Sequence, residues 1–319
     1  MAAAQQLASR ERGDQIFGFV LRLCALIAIV ILVGIVILLV INSTPTFQKF
    51  GLNFFTGSLW DPAPPETLGV LSFIYGTVAT SIIALIVAMP LALGGALFVS
   101  EYAPRWLGTP VAFIVELLVT IPSVVYGLWA INALRPLMAD PVDPAINDTL
   151  GQIPGIGALF SGVTDGRNLL TAGIVLAIMI LPTILSISRE VITQVPRLQK
   201  EGMLAMGATR WEAIRYAILP YALGGIVGGA LLGFARAFGE TMAVLMIGGN
   251  GPTFADHVNI SLLQGGATIA SKIAGGATEA SSPLGFSAVI ELGLVLLAVA
   301  SVFNIIARQF VNRIHILGT

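Results

Sequence analysis

Charged residues are scarce in this chain. Asp, Glu, Lys and Arg make up 10% of its 319 residues, whereas a soluble globular domain carries about a quarter. Hydrophobic residues make up 56%, and the mean hydropathy is +0.92. This composition excludes an ordinary soluble domain and predicts an integral membrane protein. The net charge of −1 indicates no class of partner.

Cysteine and histidine are almost absent. The one cysteine, Cys24, lies in an apolar run. A single thiol cannot form a disulfide within the chain, so we expect Cys24 to serve as a small apolar packing residue. The two histidines, His257 and His315, do not form a cluster with Cys24 at the spacing of metal ligands. We therefore expect neither a metal nor another cofactor.

Lysine is also rare, and this bears on ATP. The three lysines are Lys49, Lys200 and Lys272, and none of them completes the G-x-x-x-x-G-K-[ST] pattern of a phosphate-binding loop. No Ser/His/Asp arrangement stands out either. The chain is therefore predicted not to be an enzyme, and any energy that it uses must come from a partner or an ion gradient.

Apolar runs long enough to cross a bilayer, about 20 residues each, are abundant. Six candidate spans lie at about 16–41, 74–99, 111–134, 169–187, 221–247 and 284–310. They predict an all-α polytopic membrane protein, with an N-terminal segment 1–15 before a transmembrane domain over 16–319. The first run is too long for the apolar part of a cleaved signal peptide. Pro90, Pro122 and Pro182 lie inside spans and predict kinks.

The distribution of Lys and Arg predicts the orientation. If the N-terminus is cytoplasmic, eleven of the 16 basic residues lie inside and four lie outside, with Arg236 left within a span. Because basic residues favour the cytoplasmic side, both termini are predicted to be cytoplasmic. The segment of about 188–220, between the fourth and fifth spans, is then cytoplasmic as well.

Residues 201–220 read EGMLAMGATRWEAIRYAILP and have the pattern of two short helices with a break. Gly207 can end the first helix, because glycine adopts the left-handed conformation at little cost. Thr209 and Glu212 have the spacing of a capping box that starts a second helix. This shape suits docking of another protein. The alternative is an amphipathic hairpin on the membrane surface.

Besides Arg22 and Arg308, which are counted with the cytoplasmic residues, four charged residues lie within the predicted spans. Charge is costly there unless it faces protein or water. Arg236 and Glu240 are four residues apart and are expected on one face of the fifth helix. Arg236 lies 16 residues past Pro220, or about 24 Å along a helix, which predicts a position in the outer half of the membrane. Arginine there can bind an oxyanion through two parallel hydrogen bonds, and a structural ion pair is the alternative. The other two charged residues are Glu116 and Glu291.

Residues 201–220 also resemble the cytoplasmic loop of ABC importer permeases, which reads E-A-A, three residues, G, nine residues, I-x-L-P. Glu201, Gly207, Leu219 and Pro220 fall on that spacing, whereas the two alanines and the isoleucine are replaced. The resemblance implies that this loop binds a separate ATPase. We assign the coupling contacts to Glu201, Gly207, Thr209 and Arg210.

Two further motifs narrow the resemblance. Residues 116–138 read ELLVTIPSVVYGLWAINALRPLM, and residues 235–244 read ARAFGETMAV. Both are similar to the PstC family of phosphate importer permeases. The sister PstA family shares the core of the second motif but usually diverges after the threonine, whereas Met242, Ala243 and Val244 follow Thr241 here. The implied fold is that of an ABC type I importer permease with six transmembrane helices.

The resemblance implies a four-part assembly in the bacterial plasma membrane. This chain forms half of the phosphate pathway, beside a second, PstA-like permease. A PstB-like ATPase dimer hydrolyses ATP, and a PstS-like extracytoplasmic protein binds phosphate. We assign Arg236, Glu240 and Glu116 to the substrate pathway.

Two features leave their partners open. Glycines at 224, 225, 228, 229 and 233 give three G-x-x-x-G spacings, which suit close helix packing within this chain or against a partner permease. The outer loops 136–168 and 248–283 are rich in Pro, Gly, Asn and Asp. They suit docking of a soluble binding protein, or they form short interfacial helices.

Three rival functions remain. A sulfate or molybdate importer permease shares the coupling loop but is expected to lack the ARAFGETMAV pattern. A secondary transporter that needs no ATPase usually carries inverted repeats and has no use for the loop. A membrane-embedded enzyme is disfavoured, because no catalytic constellation occurs.

Overall fold

The computed structural model describes residues 2–63, 65–248, 260–280 and 282–317, with side chains for all of these except 2–15, 105 and 310–317. The helices in the first half of the chain are α1 (Ala2–Phe50), α2 (Asn53–Thr56), α3 (Leu71–Leu97), α4 (Arg105–Val119), α5 (Ser123–Trp129), α6 (Arg135–Leu137) and α7 (Asp143–Thr149). Those in the second half are α8 (Leu169–Thr193), α9 (Arg197–Ala205), α10 (Arg210–Ala213), α11 (Leu219–Phe238), α12 (Met242–Gly248), α13 (Ile269–Glu279) and α14 (Pro283–Leu317).

Short irregular elements join these helices. Two strands, β1 (Trp60–Asp61) and β2 (Thr67–Leu68), pair antiparallel with Trp60 opposite Leu68. Single π-helical turns lie at Phe98–Tyr102, Ala130–Leu134, Met138–Val142 and Ile214–Ile218, and 3-10 turns at Leu150–Gln152 and Gly157–Leu159. The predicted all-α architecture is confirmed.

Among the residues that the structure describes, five segments are long and apolar enough to cross a membrane: Ile16–Phe50, Leu71–Tyr102, Leu169–Thr193, Arg210–Phe238 and Pro283–Gln309. Each contains or overlaps a predicted span. The predicted N-terminal segment 1–15 shares one continuous helix with the first span, because α1 runs from Ala2 to Phe50.

The third predicted span is wrong as a single helix. Trp106–Val119 and Ser123–Gln152 are bent by 95° relative to each other at residues 120–122, and only together do they make a sixth crossing. Pro122 is the cause: it has no N–H to donate, and it adopts an extended conformation with ψ 141° immediately before α5. The residue before a proline is also pushed out of the helical region. By contrast, Pro90 and Pro182 lie within continuous helices.

The fifth predicted span, 221–247, is also interrupted. α11 ends at Phe238, Gly239 follows it, and α12 begins only at Met242. The interval itself reads Gly-Glu-Thr, but apolar residues flank it on both sides, so hydropathy averaged over a span-length window does not show the break. Glycine and threonine on either side of Glu240 lower the helical propensity there.

α8 lies at the centre of the bundle, with α3, α4 and α11 packed around it. The main core contains small residues of α3 at four-residue spacing, Ala84, Ala88, Ala92 and Ala96, against large side chains of α8 such as Ile180 and Ile184. Alanines at this spacing form a smooth helix face, which lets the two helices approach closely. The core therefore holds fixed the helices that carry the polar residues described below.

α1 lies at the edge of the bundle and packs along α14. No residue in its most apolar window is buried within the chain, which fits a helix that faces lipid or another subunit. Hydrogen bonds join the two helices: Ser287 donates to the Asn42 carbonyl at 2.7 Å, and Thr46 donates to the Ser287 hydroxyl at 2.8 Å.

The long loops contain short helices, as one of the two alternatives predicted. The loop 136–168 contains α7 and the two 3-10 turns, and α13 lies in the loop 248–283. Residues 249–259 of the latter, with His257, lie outside the described part of the chain, as does the side chain of His315. Docking of a binding protein on these loops stays a prediction.

Candidate coupling and anion sites

The break between α9 and α10 has the predicted geometry. Gly207 has φ +86°, a value that side chains with a Cβ rarely adopt. Its N–H donates to the Leu204 carbonyl at 3.0 Å, and the Ala208 N–H donates to the Met203 carbonyl at 3.1 Å. These two bonds form the Schellman motif that satisfies the last carbonyls of a helix. Gly207 therefore ends α9 and turns the chain.

The predicted capping box is also confirmed. The Glu212 N–H donates to Thr209 Oγ1 at 3.3 Å, and the Thr209 N–H donates to Glu212 Oε2 at 2.7 Å. Each side chain thus satisfies a backbone donor at the start of α10. The direction of the second short helix is fixed by sequence-local contacts alone.

Replacing Thr209 by alanine is expected to loosen α10. Loss of a cap costs about 1 kcal/mol, so amide hydrogen exchange over residues 210–213 is expected to quicken about fivefold. Hydrogen exchange measured by mass spectrometry on the purified protein checks this. Thr209→Ser keeps the hydroxyl and is expected to exchange at the original rate; equal rates for alanine and wild type contradict the capping role.

Apolar side chains are exposed on both short helices. Leu198 of α9 and Met206, directly after α9, are 82% and 79% exposed, and Trp211 of α10 is 56% exposed. Large exposed side chains with polar neighbours are typical of a protein contact surface. By contrast, Ile214 and Ile218, in the π-helical turn after α10, are buried in the main core. The loop thus presents one face outward and is anchored to the bundle by the other.

A second anchor joins α9 to the end of α3. Lys200 forms an ion pair with Glu101, which lies in the π-helical turn Phe98–Tyr102 and has only 12% of its side chain exposed. A pair with one shielded partner is screened less by salt than a fully exposed pair. The loop is therefore anchored to the spans through α9 as well as through the turn after α10.

Arg236 lies in the last turn of α11 and reaches the break in the third span. Its guanidinium is 3.4 Å from Thr183 Oγ1 on α8 and 3.4 Å from the carbonyl oxygen of Val119, the last residue of α4. Both contacts are long, and both partners are uncharged. The half-buried cation therefore keeps most of its hydrogen-bonding capacity, since a guanidinium has five N–H donors.

The predicted placement of Arg236 and Glu240 on one helix face is wrong. α11 ends before Glu240, and Glu240 Oε1 instead accepts a hydrogen bond from the Ala243 N–H at 3.3 Å. Among the described side chains, none of the ion pairs joins Arg236 to an acidic residue. A structural bridge between the two therefore has no support in this geometry.

Glu116 is placed differently from the other two predicted pathway residues. Its carboxylate lies 3.7 Å from Arg189 on α8, and 56% of its side chain is exposed. Glu291, the fourth charged residue within a span, is buried on α14. The sequence pointed to neither Arg189 nor Thr183. The contact to the Val119 carbonyl could have been suspected from Pro122. A proline break leaves the preceding carbonyls without helical donors, so they are free to accept from a side chain.

The glycines of α11 mainly serve packing within this chain. A methyl group on Gly225 would lie 2.5 Å from Val191 Cγ2, and one on Gly233 would lie 2.7 Å from Ile184 Cγ1, both on α8. Close approach of α11 to α8 therefore requires glycine at these positions. A methyl group on Gly228 would meet nothing within 4 Å, so contact with a partner permease stays open for that face.

The sequence of the chain matches a known protein family over most of its length. The family described as "Binding-protein-dependent transport system inner membrane component" matches residues 88–316. The chain belongs to this family. The match covers both breaks, the α9–α10 loop and Arg236. The chain is accordingly a multi-pass inner membrane protein and a subunit of a transport system that depends on a binding protein.

Relatives within this family align over nearly the whole chain. The "Phosphate transport system permease protein PstC" of Haemophilus influenzae is 40% identical over 95% of this chain and 94% of its own length. The protein of that name from Mesorhizobium japonicum is 41% identical over 94% of this chain and 90% of its own length. "PstC 2" of Mycobacterium tuberculosis is 39% identical, with 93% and 91% covered. The resemblance to the PstC family is confirmed.

The fold of the family is seen in solved structures as well. A chain of the MetNI methionine ABC transporter, described as inward facing, superimposes with a TM-score of 0.53 over 77% of this chain and 95% of its own length. Its sequence is only 17% identical, so this likeness concerns the fold alone. It confirms the predicted ABC importer permease architecture.

Proposed function

We propose that this chain is the permease subunit of an ATP-driven phosphate importer and forms half of its translocation pathway. The observation that carries the proposal is the alignment of PstC relatives over 95% of the chain at 40% identity. The match covers nearly the whole chain and therefore does not depend on a single motif. Sulfate and molybdate importer permeases are the rival that the test below distinguishes.

Arg236, Glu240 and Glu116 are proposed to line the pathway. The environment of Arg236 is the most direct support for this. Its contacts are to uncharged groups, so the cation is able to bind an oxyanion. The broken ends of α4 and α11 support it as well. Non-helical backbone at membrane depth is tolerated where it is buried in protein or lines a water-filled cavity.

The assembly is proposed to contain three partners. A PstA-like permease completes the pathway, a PstB-like ATPase dimer hydrolyses ATP, and a PstS-like protein delivers phosphate from outside. Both termini, with residues 1–15, and the loop of about 188–220 are proposed to be cytoplasmic. The residues proposed to contact the ATPase are Glu201, Gly207, Thr209 and Arg210, and the outward exposure of α9 and α10 supports this.

Co-purification and reconstitution test the proposal together. The tagged chain, extracted from its native membrane, is expected to bring down a second permease and an ATPase. In proteoliposomes with ATP inside and the binding protein outside, the assembly is expected to take up labelled phosphate and not sulfate. Uptake that needs no ATPase, or that prefers sulfate, contradicts the proposal.

Glu240 is predicted to help distinguish phosphate from sulfate. Hydrogen phosphate has an O–H to donate, sulfate has none, and an ionised carboxylate only accepts. One oxygen, Oε1, caps α12, which leaves Oε2 for the anion. In a transporter variant that bypasses the binding protein, Glu240→Gln is expected to lower the phosphate-to-sulfate uptake ratio about tenfold, since an unpaired buried acceptor costs about 1–3 kcal/mol.

A matched substitution separates this effect from a general change in charge. Glu66 lies outside the spans and pairs with Lys49 at 2.8 Å, so Glu66→Gln removes the same charge elsewhere. The ratio is expected to stay at the wild-type value in that variant. An unchanged ratio in Glu240→Gln, with flux still measurable, shows that selection takes place in the binding protein.

A further inference from the structure

A cavity of about 460 Å³ lies beneath α9, against the end of α3 and the facing ends of α4 and α8. None of the three proposed pathway residues, Arg236, Glu240 and Glu116, lines it, although Glu116 lies 3.7 Å from Arg189 of its wall. Its volume falls in the range of about 300–1,000 Å³ that is usual for small-molecule sites. The cavity is bounded on one side by the helix proposed to contact the ATPase.

Basic side chains outnumber acidic ones in the cavity wall. Arg189 of α8 and Arg197 and Lys200 of α9 line it, with Glu101 as its one carboxylate. Glu101 is paired with Lys200, which neutralises that acid. Among the described side chains, Arg189 has only the long 3.7 Å contact to the exposed Glu116. The wall therefore carries excess positive charge.

Arg197 is the least satisfied of these cations. Within the described part of the chain, its guanidinium has neither an ion pair nor a hydrogen bond. It extends from the first turn of α9, which Pro196 precedes without a side-chain cap. A planar guanidinium at such a position can bind a phosphate group through two parallel hydrogen bonds.

Ser100 provides an independent indication of a ligand. Ser100 is one of the residues that line the cavity. Its hydroxyl is buried and has no hydrogen-bond partner among the described residues. A buried hydroxyl without a partner costs about 1–3 kcal/mol, and each such group in a native protein calls for an explanation. An acceptor oxygen inside the cavity would satisfy it. Thr109 and Thr193 also belong to the wall, and the Thr193 hydroxyl donates to the Glu190 carbonyl at 2.8 Å.

We propose that this cavity binds a phosphate group on the α9 side of the membrane. Arg197 and Arg189 provide the charge, Lys200 shares its ammonium between Glu101 and the ligand, and Ser100 donates a hydrogen bond. The same chemistry fits free inorganic phosphate and the headgroup of an anionic lipid. Binding by either source joins α9 to α8 through one anion.

Occupancy is expected to slow the transport cycle, a consequence that rests on the proposed function. A ligand that binds one conformation more tightly than the others increases its population. α9 is the helix proposed to contact the ATPase. An anion that joins α9 to α8 therefore resists any step in which α9 moves relative to the spans. Phosphate that has entered the cell is then expected to restrain further uptake.

Equilibrium binding of labelled inorganic phosphate to the assembled transporter tests the site directly. The complex is placed in nanodiscs of zwitterionic lipid without the binding protein, and ATP hydrolysis is recorded in parallel. Arg197→Gln is expected to raise the half-saturating phosphate concentration at least tenfold, and Ser100→Ala about threefold. Ser100→Ala removes no contact within the chain, so a purely structural role of Ser100 predicts no change.

Arg215→Gln is the matched control, because it removes the same charge from the same loop at a position outside the cavity wall. Its half-saturating concentration is expected to stay at the wild-type value. Nanodiscs with anionic lipid distinguish the sources: competition with added phosphate identifies the headgroup as a second ligand of the same site. Equal shifts in Arg215→Gln and Arg197→Gln, or no saturable binding in either lipid, overturn the proposal. Uptake of external phosphate is measured separately, so failure of this site leaves the proposed transport function untouched.

Discussion

Arg236→Ala is expected to abolish phosphate uptake while the subunit still assembles with its partners. The contacts of Arg236 to Thr183 and to the Val119 carbonyl are both 3.4 Å long and both neutral, so their loss costs the fold little. Two hydrogen bonds from a guanidinium to an anion contribute about 3 kcal/mol or more together. Uptake into proteoliposomes is therefore expected to fall at least a hundredfold.

Three further variants separate the role of the charge from that of the fold. Arg236→Lys is expected to recover uptake only in part, because an ammonium does not reproduce the planar fork. Thr183→Val removes a neutral acceptor and keeps the cation, so its effect is expected to be much smaller. The double exchange Arg236→Glu with Glu240→Arg is expected to remain inactive, and recovery of uptake in it would establish a structural bridge instead.

Gly207→Val is expected to uncouple transport from ATP hydrolysis. Space is not the obstacle, since a Cβ at Gly207 would meet nothing within 4 Å. The obstacle is the backbone, because φ +86° is a true outlier for a β-branched residue. A left-handed conformation costs an ordinary residue about 1–2 kcal/mol and valine more. Uptake and co-purification of the ATPase are both expected to fall at least tenfold.

Gly207→Asn is the matched control for this second effect. Asparagine has nearly the volume of valine but tolerates the left-handed region much better. It is expected to retain most of the uptake and most of the bound ATPase. Equal losses in the two variants would point to bulk at the interface, whereas wild-type behaviour of Gly207→Val would contradict the coupling role of the break.

The coupling loop could be predicted from sequence because its geometry depends on local contacts. Gly207 ends α9 through bonds to residues three and five positions earlier, and the capping box closes over three residues. Such contacts are encoded within a few positions of the chain. The family could be predicted in the same way from the motifs at 116–138 and 235–244, because a family motif is recognised from the order of its residues alone.

The interior charges could not be placed in the same way. The i, i+4 spacing of Arg236 and Glu240 predicts neighbours only while the helix continues, and it ends at Phe238. Hydropathy measures the free energy of transfer into lipid. Averaged over a span-length window, it stays favourable across both breaks, so it does not show where a helix ends. Whether Pro122 kinks a helix or divides it depends on the groups that satisfy the freed backbone around it.

The sequence by itself determined the membrane location, the number of apolar runs, the helix–break–helix loop and the family, since each follows from composition or from residues near in sequence. Only the tertiary structure decided the partners of the charged side chains. Arg236 meets α8 and the end of α4, Glu116 meets Arg189, and Arg197 and Ser100 share one cavity wall. These neighbours are far apart in sequence, and their contacts exist only because the packing of α8 against α3, α4 and α11 brings the helices together.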